Sequence, residues 1–322
     1  MSSPAASTDA LGALATAPGA SAAATRRRAQ SPLARTGWRR GLVGWLLVAP
    51  LVLVLVPFFI APIIGVMIAS VLEGDGFGGI LPVFTLDNYV GVFGSALTYN
   101  LYYETLKFTL LTWIFTLLIG FWVSYFLVFH VRSKLLAIGL FLLCTVPFWT
   151  SNIIRMISWI PLLGKEGLIN SMLVGTGLAS QPVEFLLFSS FAVVVAYVHQ
   201  LTIFMIVPIF NAMARIDKRV LEAAVDAGAS RFAVVSRIVL PLSKSGIALG
   251  SIFVVSIVMG DFFVVKVMSG GGSASVVGAF YEDIAVLQYP TAAASACVLT
   301  AVVMLIVALI LRTVDIRREI AR

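Results

Sequence analysis

The sequence predicts an all-α polytopic membrane protein with six transmembrane helices. Three observations carry that reading. Of 322 residues, 60% are hydrophobic and 11% charged, whereas an average soluble domain carries about 25% charged residues. Most of this chain therefore cannot form a hydrated surface. Six stretches, at about 41–70, 105–129, 135–154, 186–210, 246–267 and 291–312, are apolar over the ~20 residues that a bilayer core requires. Finally, 18 of the 22 Lys and Arg residues fall in 1–40, 131–134, 211–245 and 312–322, the segments that six spans place on one side. By the positive-inside rule that side is the cytoplasm, and both termini lie there.

The expected organisation follows in chain order. Residues 1–40 are rich in Ala, Ser, Thr and Gly with an Arg26-Arg27-Arg28 run, and read as a disordered cytoplasmic tail. The apolar run after Arg39-Arg40 is too long for the core of a secretory signal and reads as a retained span. Pro50, Pro57 and Pro62 should kink it. Tyr99, Tyr102 and Tyr103 precede span two, and Trp38 and Trp45 flank span one, as interfacial aromatics do. Segment 156–185 carries Gly164, Gly167 and Gly175, is too broken to span, and is expected to form a short helix at the outer surface. The transmembrane domain thus covers 41–315, with a cytoplasmic loop at 211–245 and a cytoplasmic tail at 316–322.

Loop 211–245 is the most informative stretch. Ala-rich residues 219–227 favour a helix, Gly228 suits the left-handed position that ends one, Ser230 can cap the next, and Pro241 should break it. A helix-turn-helix so placed offers a rigid knob to a cytoplasmic partner. Cys144 and Cys297 match no metal or redox spacing, and neither His199 nor His130 has a second ligand nearby in sequence. Glu104 and Lys107, three apart, read as an intrahelical pair. No catalytic cluster or nucleic-acid module is evident, so the chain reads as neither an enzyme nor a nucleic-acid binder.

Glu222-Ala223-Ala224, three residues, Gly228, nine residues and Ile238-Val239-Leu240-Pro241 resemble the EAA loop of the inner-membrane permeases of binding-protein-dependent ABC importers. The resemblance implies the type I importer permease fold over about residues 40–315, in a bacterial inner membrane. It implies that Leu221, Glu222, Ala223, Ala224, Gly228, Ile238, Leu240 and Pro241 couple the spans to an ATPase. Val220, Leu221, Ala224 and Val225 would then bury in the ATPase groove. No Gly-x-x-x-x-Gly-Lys-Ser/Thr loop occurs, so ATP and Mg would be bound by a separate chain, with no cofactor in this one. Implied partners are two ATP-binding subunits, a second and different permease, an extracytoplasmic binding protein and membrane lipid.

Two further stretches, Val146 to Arg155 and Phe84 to Tyr89, resemble spermidine/putrescine permeases, as does Gly260-Asp261-Phe262 followed by Met268-Ser269-Gly270-Gly271. That group implies a polyamine ahead of an opine, ferric ion or other small solute. Lys266 departs from its pattern. A different class of transporter, a carrier driven by ion gradients, would have no use for an EAA loop. Trp149, Asn152, Arg155 and Asp261 are the candidate pathway or gate residues, because ionisable groups at membrane depth are costly without a function. Asp261 could receive a cationic substrate or pair with Lys266 or Arg155 in a closed gate, and both readings stay open on sequence alone. Phe148 and Trp149 could stack on an alkylammonium or anchor at the interface.

Overall fold

The structure, a computed structural model, describes residues 36–313. Most of the expected N-terminal tail, with its Arg run, and the C-terminal tail lie outside the described residues. Helix α1 (Thr36–Leu55) begins inside the segment expected to be tail. A π-helical turn at Val56–Ile60, with Pro57 near its start, leads into α2 (Ala61–Ala69). The described residues up to Pro62 form one unit and those from Ile63 onward a second. The apolar run 47–68 is exposed along its length, as a helix apolar on all sides is when its solvent is lipid.

The second unit opens with an unexpected β-hairpin, β1 (Leu72–Gly74) paired antiparallel with β2 (Ile80–Phe84). Its turn is built by Asp75, whose Oδ1 accepts from the amides of Phe77 (2.8 Å) and Gly79 (2.7 Å). The short helix α3 (Asp87–Gly94) follows, and Asn88 donates to the carbonyls of Ser70 and Leu72, tying it back to the end of α2.

Span two is α4 (Ala96–Tyr125), extended by a π-helical turn to His130 and so starting well before the expected residue 105. Span three is α5 (Lys134–Thr145) with a 3-10 turn ending at Trp149. There the chain turns by 93° into α6 (Asn152–Ile157), so the expected end at 154 falls beyond the break. Pro147 and the extended Thr150 account for the turn. Helices α7 (Ile160–Leu163) and α8 (Leu168–Gly175) complete the broken segment. Buried Asn170 closes that segment by bonding Gly164 and Val183, and Lys165 pairs with Glu184 at 2.6 Å.

Span four is α9 (Ser190–Ala214). The loop helices are α10 (Lys218–Asp226), α11 (Arg231–Val234) and α12 (Leu240–Leu242), and a 67° bend then leads into α13 (Lys244–Met259). The expected fifth span, 246–267, is broken: α13 stops at Met259 and α14 (Phe263–Met268) restarts after Gly260, Asp261 and Phe262. Helix α15 (Val276–Ala285) and span six, α16 (Tyr289–Arg312), end the described chain. Among the described residues four helices are long and apolar enough to cross a membrane, and six if each bent pair counts as one span.

The core is a three-helix seam of α4, α9 and α13. Lipid tails are as apolar as the side chains, so close packing holds such helices together, and small residues permit it. Gly246 and Gly250, four apart, supply the flat face of α13. A Cβ on Gly246 would stand 2.4 Å from the Pro208 carbonyl oxygen, and one on Gly250 2.6 Å from Met205 Sδ. Fully buried Met205 is wedged between Gly250 and Gly120 of α4. Polar staples reinforce the seam: Trp113 Nε1 donates to Ser251 Oγ at 2.8 Å and Ser124 Oγ to the Ile206 carbonyl at 3.1 Å.

Candidate functional site

The loop between spans four and five, the candidate coupling loop, is built by local hydrogen bonds. Asp217 starts α10 by accepting from the Arg219 amide at 3.0 Å. At the other end the Gly228 amide donates to the Val225 carbonyl and the Ala229 amide to the Ala224 carbonyl, both at 2.9 Å. These two bonds form a Schellman closure around Gly228, whose φ is +86°, as expected of a residue without a Cβ. Ser230 caps α11 by accepting from the Ala233 amide at 3.2 Å, again as expected.

Helix α10 has two unlike faces. Leu221 and Ala224 are half-buried against the protein's own core. Glu222, Ala223 and Asp226 are exposed, flanked by exposed Val220 and Val225. The 100° step between helical residues explains the division: Leu221 and Ala224 share one stripe, and Glu222 and Ala223 lie opposite. Phe232 on α11 is 81% exposed beside them.

Pro241 does not break the helix. A π-helical turn at Val235–Val239 places the Leu240 amide on the Val235 carbonyl. The widened turn absorbs the donor that proline lacks, α12 continues through Pro241, and the bend falls at Ser243. Ile238 is half-buried, whereas Leu240 and Pro241 are exposed.

The candidate pathway residues form two groups that meet α9 one turn apart, at Tyr197 and at Gln200. Buried Tyr197 donates from its hydroxyl to Asp261 Oδ1 at 3.2 Å, and the Val264 amide donates to the same oxygen at 2.9 Å. Asp261 thereby caps α14, which explains why the chain can restart a helix after Gly260. Among the described residues Asp261 makes no ion pair with Lys266 or Arg155; the ion pairs there are Glu104 with Lys107 and Lys165 with Glu184. Five residues apart, Asp261 and Lys266 would lie about 140° from each other even on an unbroken helix, outside the i,i+3 and i,i+4 spacings that bring side chains together. The Lys266 ammonium lies 5.9 Å from the centroid of the Tyr281 ring instead.

One turn further along α9, Gln200 Nε2 reaches the Asn152 backbone carbonyl at 3.4 Å, and Arg155 Nη2 donates to the Asn152 side chain. Arg155 is buried and Trp149 is 85% exposed, so these two candidates do not meet. Tyr197 and Gln200, three apart on α9, join the two groups into one buried polar belt. It lies about 15 Å along the helix from Ser190, roughly half the ~30 Å core. The sequence reading missed Tyr197 as a functional residue. A tyrosine within an apolar span needs a partner for its hydroxyl, and that need is the signal that could have found it.

No protein-family model matches the chain. The spermidine/putrescine transport system permease protein PotB of Haemophilus influenzae is 34% identical over 224 residues, 70% of this chain and 77% of that protein. The Escherichia coli K12 protein of the same name is 32% identical over 229 residues, 71% and 78% of the two chains. The chain belongs to the PotB family of ABC-importer permeases. A crystal structure of a bacterial alginate ABC transporter, in complex with an alginate pentasaccharide-bound periplasmic protein, contains a chain of the same fold. The TM-score is 0.65, over 84% of this chain and 93% of that one, at 19% identity.

In this PotB-family permease the helical transmembrane fold agrees with expectation, and the hairpin and the broken fifth span are additions to it. The Glu104–Lys107 pair is present at 2.5 Å. On α15, outside the spans, burial and then the neighbouring Glu282 charge raise the Asp283 carboxyl above the usual carboxylate range. Glu282 lines a cavity of about 270 Å³ together with Lys266 and Phe262.

Proposed function

We propose that this permease carries polyamines, linear aliphatic ammonium cations, across the bacterial inner membrane. In this reading it forms one half of the pathway, both termini are cytoplasmic, and a second, different permease forms the other half. Two separate ATPase subunits dock on the outward face of α10 and bind ATP and Mg, and an extracytoplasmic binding protein delivers the solute. The observation that carries the substrate is Asp261, a carboxylate in a broken span with no ion pair among the described residues. An unpaired carboxylate at such a position is favourable if a cation visits it. Tyr197 and the α14 amide both hold Oδ1, which leaves Oδ2 clear of these two bonds. The names of the relatives support the same reading.

The test is uptake of labelled putrescine and spermidine by the complete importer in proteoliposomes with ATP inside. Asp261→Asn should lower uptake at least about tenfold, the size of one lost charge-assisted contact of ~1.5–3 kcal/mol, with the complex still assembled. Unchanged uptake by that variant, or transport of a neutral sugar in preference to both amines, would overturn the polyamine reading.

A further inference from the structure

Residues 72–94, between spans one and two, present hydrocarbon where a surface in water would carry polar groups. Strand β2, Ile80–Phe84, is exposed at every position and has no polar side chain, whereas a strand with one face in water alternates. Phe77 at the hairpin tip is 89% exposed. Val90 and Phe93, three apart on α3, form an exposed apolar stripe, while Val92 is buried. No Lys or Arg occurs between Arg40 and Lys107.

This segment lies at the level where the spans begin and end. The Cβ position of Gly74 is 3.4 Å from the Pro290 ring and that of Gly78 3.5 Å from Leu287, so root and tip of the hairpin both rest against the start of α16. Leu287 takes a left-handed φ of +66° against the tip. The Thr291 hydroxyl donates to Asn88 Oδ1 at 3.5 Å, and the Tyr89 and Ser70 hydroxyls meet at 2.8 Å, which fixes α3 between the end of α2 and the start of α16. Helix α16 has 24 residues, about 36 Å of length, against a hydrocarbon core of ~30 Å. With Arg312 at one surface, the start of α16 stands at the opposite boundary of the core, and the hairpin lies across it.

The apolar surface continues on both flanks: residues 63–68 before the hairpin, and Leu106 and Leu110 of α4 after it, are exposed too. The hairpin has two strands, so the outer edge of β2 needs water or headgroups for its backbone groups and cannot sink into hydrocarbon. We propose that residues 72–94 lie in the membrane interface on the side opposite the loop between spans four and five, with Phe77, Phe84, Val90 and Phe93 inserted at the boundary of headgroups and acyl chains. The partner is lipid hydrocarbon, because the segment has no base to hold an anionic headgroup. The inference is independent of which solute is transported.

The probe is a nitroxide on Phe77→Cys or Val90→Cys, in a chain with Cys144→Ala and Cys297→Ala, within the complete importer in phosphatidylcholine vesicles. Collisions with oxygen, which concentrates in hydrocarbon, are compared with those of a water-soluble nickel chelate. Oxygen should dominate at both positions, with each label about 5–10 Å into the boundary, and the ratio of oxygen to chelate collisions should be severalfold higher than for a label on Glu73→Cys. Adding phosphatidylglycerol should leave the depth unchanged. Val90 decides the matter if a label at position 77 disturbs the hairpin. An excess of chelate collisions at Val90 would overturn the proposal. So would protection from both reagents, which marks a companion permease as the occupant or, where it requires added binding protein, that protein. Insertion that appears only with phosphatidylglycerol would overturn the apolar contact.

Discussion

Gly228 in the loop between spans four and five and Gly246 at the start of α13 both resist a side chain, for opposite reasons. Around Gly228 there is open space, and its φ of +86° is what a side chain would resist. Around Gly246 the backbone is ordinary helix, and the neighbouring Pro208 carbonyl and Ala212 leave no room for a Cβ. One glycine is needed for conformation and the other for absence of volume. The loop is therefore sensitive to which residues tolerate a left-handed backbone, and the seam is sensitive only to size.

Substitution series can separate the two. The largest effect is expected for Gly246→Leu, where backbone atoms rather than flexible side chains must yield. We expect about 3 kcal/mol or more of destabilisation, seen as loss of folded protein in detergent, with Gly246→Ala already damaging. Gly139 on α5, with nothing within 4 Å of its Cβ position, is the control and should accept Ala without loss. A tolerated Gly246→Leu would break the steric account of the seam.

Next comes Gly228→Val, costing on the order of 1 kcal/mol locally but leaving the spans folded. Its signature should be ATP hydrolysis without uptake, and Gly228→Asn should recover much of the coupling because Asn accepts left-handed backbone. Equal damage by Asn and Val at 228 would make that site steric as well. Asn at 246 should give no rescue.

Of similar size for stability, but without a block on coupling, is Tyr197→Phe, which removes the hydroxyl from Asp261 and should cost about 1 kcal/mol; unfolding of the purified complex measures it. The smallest is Lys107→Ala. The Glu104–Lys107 pair is 29% exposed on both sides and three residues apart on one helix, so the change should stay within about 0.5 kcal/mol.

This contrast also accounts for what the sequence disclosed. The local structure of the loop between spans four and five was legible because each signal, Gly228, Ser230 and the alanine run, acts on residues within one helical turn. The inward turn of Leu221 and Ala224 was not, since it depends on the core beneath them. The seam carries Gly246-x-x-x-Gly250 in plain view, yet a spacing of small residues gains meaning only when Met205 and Pro208 are known to face it. Asp261 was recognised as costly, but its partner Tyr197 lies on another span, and a pairing at that separation leaves no periodic trace. The hairpin escaped because a search for ~20-residue apolar runs passes over two short strands; Asp75-Gly76, with Gly76 at φ +77°, is the turn signal that marks it.

The widened turn at Val235–Val239 has a mechanical consequence. A π-helical turn holds one residue more than the α-helical path it replaces. Removing a single residue there would rotate everything upstream by about 100° about the helix axis relative to α13. The outward surface of α10 would then present its side toward the spans, with every residue of the motif still in its order. The extra residue works like the phase mark on a pair of gears: it sets the azimuth of α10 relative to α13. Loop length is thereby as much a part of the machine as loop sequence.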